Sequence, residues 1–132
     1  MPKLTYACVL ARDIERLADF YREVLQVEPQ WTGPYAEYAT GPGIFCLWSV
    51  DAYAQLAGTR FLPKSETSSV MLEFQVDDVD AEYVRLGQST RITAEFVLPP
   101  TTLAWGNRSI YLRDPEGNLI NLFTQVGDAR PR

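Results

Sequence analysis

Apolar and polar positions along the first half of the chain follow two patterns, one typical of β-strands and one of an amphipathic helix. Residues 4–10 form a strand-like run, and Asp13 then stands where a helix N-cap is expected. Pro29 ends the helix, and the turn residues after it predict three short strands. The apolar residues of the helix recur at the spacing of one helical face: Ile14, Leu17, Ala18, Tyr21, Val24 and Leu25.

The same order of elements recurs in the second half of the chain. Residues 69–76 form a strand, Asp77 or Asp78 caps a second helix, and Gly87 lies at the end of that helix. Strands follow near residues 94–98, 109–113 and 118–124. We therefore predict an α+β protein of tandem βαβββ modules. The modules are 1–57 and 69–126, with a linker at 58–68 that follows a short helical turn at 51–58, and a tail at 127–132.

The last two strands enclose the turn Asp114-Pro115-Glu116-Gly117, in which proline presets φ and glycine accepts a positive φ. A tryptophan at Trp105 leads into the hairpin, and the exit strand carries the apolar run L-I-N-L-F. With the duplicated element order, this hairpin resembles the glyoxalase, bleomycin-resistance and extradiol-dioxygenase superfamily, which has the vicinal oxygen chelate fold. The resemblance covers about residues 4–126.

The resemblance implies two curved sheets that enclose a cup, with the helices outside. It also implies four metal positions, one on each of four strands, which fall here on Tyr6, Cys46, Met71 and Asn121. The family's glutamate ligand is replaced by Asn121. A phenol, a thiol, a thioether and an amide make no plausible ligand set for zinc, nickel, iron or manganese. We therefore expect a member of the family without a metal or another cofactor.

Strand parity separates the side chains that face the cup from those that face a helix, because successive residues point to opposite faces. The helix-facing set is apolar: Ala7, Val9, Val70, Leu72, Phe74, Val76, Ile120 and Leu122. Both faces of residues 44–48 are apolar, so there the family alignment assigns Ile44, Cys46 and Trp48 to the cup. The predicted ligand-binding residues are Tyr6, Cys8, Cys46, Trp48, Met71, Glu73, Asn121 and Phe123, with Trp105 near a rim.

Composition excludes several classes of function. The net charge of −5 argues against nucleic-acid binding, and no apolar run approaches the length of a membrane helix. Histidine is absent, so the chain has no histidine proton shuttle, nucleophile partner or metal ligand. The N-terminus shows no signal peptide, which predicts a cytoplasmic protein with reduced cysteines.

Glu73 is the candidate residue with the most specific chemical role, because a carboxylate on the cup face could anchor a cationic ligand or act as a base. It could also pair with Arg108 or Arg113, or reach solvent. The cysteines lack an activating histidine and fit a role as small apolar fillers better than one as nucleophiles. If the protein only binds its ligand, we expect it to have no catalytic residue.

Two classes of function remain after these exclusions. The first is a binding protein, resembling the bleomycin-resistance proteins, that sequesters an aromatic or cationic small molecule as the homodimer that the family implies. The second is a lyase or isomerase that works without the usual metal, with Glu73 as its base.

Overall fold

A computed structural model describes residues 4–57 and 70–127 of the 132-residue chain. The chain divides into two compact units, Met1–Glu66 and Thr67–Arg132. Each unit holds one four-stranded mixed sheet and follows the order βαβββ, so the predicted fold class is confirmed. The predicted linker at 58–68 and most of the predicted tail at 127–132 lie outside the described residues.

The first unit begins with a strand and an amphipathic helix and ends with a short helix where a helical turn was predicted. Its sheet has the order β1-β4-β3-β2, in which β1 and β4 are parallel and the other neighbours are antiparallel. The elements are β1 (Tyr6–Ala11), α1 (Ile14–Leu25), β2 (Gln30–Thr32), β3 (Tyr35–Ala39), β4 (Ile44–Ser49) and α2 (Val50–Ala57).

An aromatic core joins α1 to the first sheet. Asp13 caps the helix by accepting a hydrogen bond from the backbone N–H of Arg16, as predicted. The Tyr21 ring on α1 lies 4.7 Å from that of Phe45 and 6.4 Å from that of Tyr38. The Tyr38 hydroxyl donates a 2.7 Å hydrogen bond to a carbonyl oxygen of the same helix. These contacts fix which face of the sheet α1 covers.

The second unit repeats the arrangement with an aliphatic core. Its sheet has the order β5-β8-β7-β6, again with a parallel pair, β5 and β8, inside it. Asp78, one of two predicted caps, accepts the Ala81 N–H at the start of α3. The elements are β5 (Met71–Gln75), α3 (Val79–Gly87), β6 (Glu95–Thr102), β7 (Asn107–Arg113) and β8 (Leu119–Gln125). The sheet side chains of the core are Ile110, Leu112, Ile120 and Leu122, all fully buried.

Two details of the sequence prediction are wrong. The strand predicted at 94–98 extends through Pro99 and Pro100 to Thr102, because β6 is the edge strand of its sheet and a missing backbone N–H is tolerated there. Val70, predicted to face the helix, precedes β5 and is 64% exposed. The hairpin turn is as predicted, with a positive φ of 88° at Gly117. No helix of the described residues is long and apolar enough to cross a bilayer.

Candidate functional site

The candidate site residues other than Trp105 lie on the face of each sheet that points away from α1 or α3, here called the distal face. In the first unit Phe45 packs on α1, so its neighbour Cys46 faces the other way, together with its register partner Cys8. In the second unit Ile120 and Leu122 belong to the helix-covered core, which leaves Asn121 on the distal face. The alternation thus places Cys46 and Asn121 on the distal face, whereas Ala7, predicted to face the helix, is exposed.

A carboxylate and an amide form the centre of the distal face of the second unit. Glu73 on β5 and Asn121 on β8 are directly opposite in the parallel ladder. The side-chain nitrogen of Asn121 donates a 2.9 Å hydrogen bond to Oε1 of Glu73. Asn121 is fully buried, whereas Glu73 is exposed. The buried amide thus holds an accessible carboxylate in a defined position.

The orientation of the Asn121 amide follows from this contact. An ionised carboxylate only accepts hydrogen bonds, so the NH₂ end of the amide must face Glu73 and the oxygen must point elsewhere. Within the described part of the chain, the buried Oδ1 of Asn121 has no hydrogen-bond partner, and neither has the buried hydroxyl of Ser109 on β7. A buried acceptor without a hydrogen-bond partner costs about 1–3 kcal/mol of stability. The Asn121–Glu73 hydrogen bond therefore forms although it leaves the amide oxygen of Asn121 unpaired among the described residues.

The two arginines considered as partners of Glu73 have other contacts. The Arg108 guanidinium makes a bidentate pair with Asp80 of α3, at 2.8 and 3.0 Å. This pairing raises the pKa of Arg108 and lowers that of Asp80, in both cases chiefly through the hydrogen bonds between them. Arg113 donates to the carbonyl oxygen of Gly117 in the hairpin turn. Glu73 accepts the hydrogen bond from Asn121 and is exposed.

Two thiols occupy the equivalent place on the distal face of the first unit. Cys8 on β1 and Cys46 on β4 are register partners in the parallel ladder, as Glu73 and Asn121 are in the second unit. Cys8 is exposed and Cys46 is 2% exposed. Desolvation, and then the neighbouring Cys46 thiol, raise the pKa of Cys8 to about 12. The exposed Cys8 and the buried Cys46 are thus neighbours on this face.

An aromatic group lies beside the thiols. The Trp48 ring is 5.2 Å from that of Tyr35 on β3 and 5.4 Å from that of Tyr53 on α2. The Tyr35 hydroxyl donates a long, 3.4 Å hydrogen bond to Glu37. Desolvation comes first among the causes that raise the pKa of Tyr35, followed by Cys46, Glu37 and Tyr6. This part of the face therefore offers planar apolar surface with a neutral phenol at its edge.

The remaining predicted residues lie in more varied places. Tyr6 is 54% exposed at the start of β1. Met71 and Phe123 are half-buried on the distal face of the second sheet, two residues along their strands from Glu73 and Asn121 respectively. Trp105 is half-buried in the turn between β6 and β7 and so lies at the end of the sheet rather than on its face.

A family model for a glyoxalase-like domain matches residues 4–126. The chain belongs to this glyoxalase-like domain family. The uncharacterized protein YraH of Bacillus subtilis (strain 168) is 29% identical over 129 residues, which cover 94% of this chain and 99% of YraH. These findings confirm the family resemblance that the hairpin and the duplicated element order indicated.

Solved structures of the superfamily share the fold of this glyoxalase-like chain. A glyoxalase/bleomycin resistance protein/dioxygenase from Nocardioides aligns with a TM-score of 0.79 at 24% identity, covering 100% of this chain and 89% of that one. A family enzyme from Burkholderia phytofirmans PsJN aligns with a TM-score of 0.78 at 21% identity, covering 95% and 100% of the two chains. At these identities the likeness shows the fold alone.

The side chains at the metal positions of the glyoxalase-like fold do not fit the metal that the fold implies. Cys46 and Asn121 are buried, and the only nitrogen of the Asn121 side chain already donates to Glu73. A phenol, a thiol, a thioether and an amide do not make a ligand set for zinc, nickel, iron or manganese. The described residues contain no group of three histidine, cysteine or acidic side chains that could hold a metal ion.

Sequence reasoning missed four distal-face or neighbouring side chains: Tyr35, Tyr53, Ser109 and Tyr111. Tyr35 and Tyr111 could have been found by extending the parity argument to β3 and β7, since Tyr111 is directly opposite Asn121. Tyr53 gave no such signal, because the position of a short helix against a sheet is decided by tertiary packing.

Proposed function

We propose that this glyoxalase-like protein binds a small molecule without a metal at the four family positions, and that it sequesters an aromatic or cationic ligand. The observation that carries the proposal is the hydrogen bond from the buried amide of Asn121 to the exposed carboxylate of Glu73. Asn121 occupies a position at which the family resemblance places a metal ligand. Its hydrogen bond to Glu73 holds a negative charge there in place of a metal.

The chemistry of each distal face supports a ligand class. The ionised carboxylate of Glu73 suits an ammonium, amidinium or similar cation, and charge-assisted hydrogen bonds are about twice as strong as neutral ones. In the first unit the Tyr35, Trp48 and Tyr53 rings offer planar surface for stacking. We treat the two faces as separate sources of affinity.

The alternative function is a metal-independent lyase or isomerase with Glu73 as general base. The hydrogen bond from Asn121 argues for the binding protein, because a donor at 2.9 Å already occupies one carboxylate oxygen of Glu73 and holds the group in a fixed position. Sequestration as in drug resistance, the homodimer and the cytoplasmic location remain predictions that go with this proposal.

The test is a titration of tryptophan fluorescence with planar aromatic cations and their neutral isosteres, before and after dialysis against a chelator. We expect saturable binding of the cations that survives the chelator and forms no product. Glu73→Gln should weaken cation binding by about 10-fold or more, from the loss of one charge-assisted contact. Glu95→Gln, which removes an exposed carboxylate from the edge strand of the same sheet, is the matched control.

Three outcomes would contradict the proposal. Loss of binding on chelation would show that a metal takes part. Equal weakening by both variants would show that affinity follows net charge and not the position of Glu73. Turnover that vanishes in Glu73→Gln would establish the enzyme instead. Light scattering of the same sample tests the predicted homodimer.

A further inference from the structure

The two cysteines of the chain are nearest neighbours across a parallel strand pair. Cys8 and Cys46 are register partners of β1 and β4, and both belong to the distal face. Neighbouring strands lie about 4.8 Å apart, which falls inside the Cα separation of about 4.4–6.8 Å that a disulfide spans. The two thiols are also close enough for Cys46 to raise the pKa of Cys8. No strand movement is therefore needed to bring the sulfurs together.

The two thiols differ in access to solvent. Cys8 is exposed, and Cys46 is 2% exposed beneath the same face. A reagent in solution therefore reaches Cys8 first, and Cys46 is shielded from a reagent but not from Cys8. An exposed thiol with a buried thiol beside it is the arrangement in which the first reacts with the reagent and the second resolves the product.

We propose that Cys8 and Cys46 form a redox-active pair, which a small-molecule disulfide such as oxidised glutathione converts into a disulfide between β1 and β4. The thiolate of Cys8 attacks one sulfur of the reagent, forming a mixed disulfide and releasing one glutathione thiolate. The thiolate of Cys46 then attacks the Cys8 sulfur and releases the second glutathione. Two protein thiols are oxidised, the reagent disulfide is reduced, and the protons of the cysteines end on the two glutathione molecules.

The surroundings of Cys8 make the first step slow and the second fast. The titratable groups around the thiols are Cys46 on β4, Tyr35 and Glu37 on β3, and Tyr6 on β1. All of these are neutral or negative, so none of them favours a thiolate. With the pKa of Cys8 raised to about 12, the thiolate is a small fraction at neutral pH and grows about 10-fold per pH unit. Once the mixed disulfide exists, Cys46 attacks within the molecule at a high effective concentration.

The experiment compares the wild-type protein with Cys46→Ser and Cys8→Ser under excess oxidised glutathione. Samples are quenched in acid and analysed by intact mass and by peptide mapping without reduction. We expect the wild type to lose two hydrogen atoms in mass and to yield a linked Cys8–Cys46 peptide pair. Cys46→Ser should instead retain one glutathione on Cys8, and Cys8→Ser should stay unmodified. The initial rate should rise about 10-fold for each pH unit between about pH 7 and 9.

Several results would overturn the proposal, and most are read from the wild type alone. A stable glutathione adduct on wild-type Cys8 would show that Cys46 does not resolve it. A covalent dimer on a non-reducing gel would show that Cys8 reacts between molecules. A rate that levels off at or below about pH 9 would show that Cys8 lacks the raised pKa described above. Circular dichroism of the serine variants confirms that they are folded before their adducts are compared.

Discussion

The two units of this glyoxalase-like protein place different chemistry at equivalent positions of the same frame. In both, the third residue of the first strand lies opposite a residue of the last strand in a parallel ladder. The pair is Cys8 with Cys46 in the first unit and Glu73 with Asn121 in the second. The helix-covered faces are apolar in both units. The apolar periodicity therefore determines the arrangement of strands and helix in each unit. The distal face carries thiols in the first unit and a hydrogen-bonded carboxylate in the second.

The units also differ in how their helices are held. The first packs α1 through a cluster of aromatic rings around Tyr21, whereas the second combines the Tyr83–Phe96 ring contact at 4.6 Å with buried aliphatic side chains such as Leu122. Aromatic side chains bury more area each and make directional edge-to-face contacts. A single aromatic truncation should therefore cost the first unit more than a single aliphatic truncation costs the second.

The largest expected effect tests this difference in core packing. Tyr21 is fully buried, and its ring lies within 5.2 Å of Phe20 and 4.7 Å of Phe45. Tyr21→Ala should lower the free energy of unfolding by about 4 kcal/mol, and Leu122→Ala by about 3 kcal/mol, from lost burial and the cavity that remains. Urea denaturation followed by circular dichroism measures both.

An exposed substitution calibrates that comparison. Val84 on α3 is 54% exposed, so Val84→Ala should change the free energy of unfolding by no more than about 0.5 kcal/mol. A cost for Tyr21→Ala close to that of Val84→Ala would mean that the aromatic cluster does not anchor α1.

The second prediction concerns the carboxylate–amide pair. Asn121→Asp replaces the donor at 2.9 Å from Glu73 by a second acceptor. The lost hydrogen bond to a charged group should cost about 2 kcal/mol at neutral pH. Like charges so close raise the pKa of one carboxyl of the variant's pair, so the variant is most stable in acid and loses stability as pH rises through that pKa.

The measurement is the urea midpoint of the variant at about pH 4.5 and 7.5 relative to the wild type at each pH. Gln125→Glu adds the same charge at an exposed position near the end of β8 and serves as the control. If Asn121→Asp and Gln125→Glu show the same pH dependence, the Glu73–Asn121 contact does not shape the distal face.

Sequence predicts the frame of both units well, for reasons that are local. The caps Asp13 and Asp78 and the positive φ of Gly117 depend on a few neighbouring residues. The burial of Ile120 and Leu122 follows from alternation along one strand. Each of these signals is complete within a short stretch of chain.

The partners within the site are not predictable in the same way. The contact between Glu73 and Asn121 joins residues 48 positions apart and depends on the register of β5 against β8, for which each strand alone gives no signal. Parity placed both residues on one face but could not say that they are opposite. The same holds for Cys8 and Cys46, whose adjacency appears only when β1 and β4 are paired.

The smallest expected effect separates the units by their response to alkali. Burial raises the pKa of Cys8 to about 12. Burial is also the first cause of the raised pKa values of Tyr35 and Tyr38. All three residues belong to the first unit. In the unfolded chain these groups lose their protons nearer their model values of 9.0 for cysteine and 10.0 for tyrosine. Above those values the unfolded state binds fewer protons than the folded state. Stability is therefore complete below about pH 9 and falls as pH rises toward the folded-state pKa values.

Urea midpoints between about pH 8 and 10.5 measure this loss, with return to pH 8 as the check of reversibility. Tyr38→Phe removes one of the three groups along with its 2.7 Å hydrogen bond to Ala18, so it should lower the midpoint at pH 8 and flatten the decline above it. Cys8→Ala should flatten the decline with little change at pH 8, since its thiol makes only a long, 3.8 Å contact to a backbone oxygen. If neither variant changes the slope, the alkaline loss belongs to other groups, and the first distal face is better hydrated than the raised pKa of Cys8 indicates.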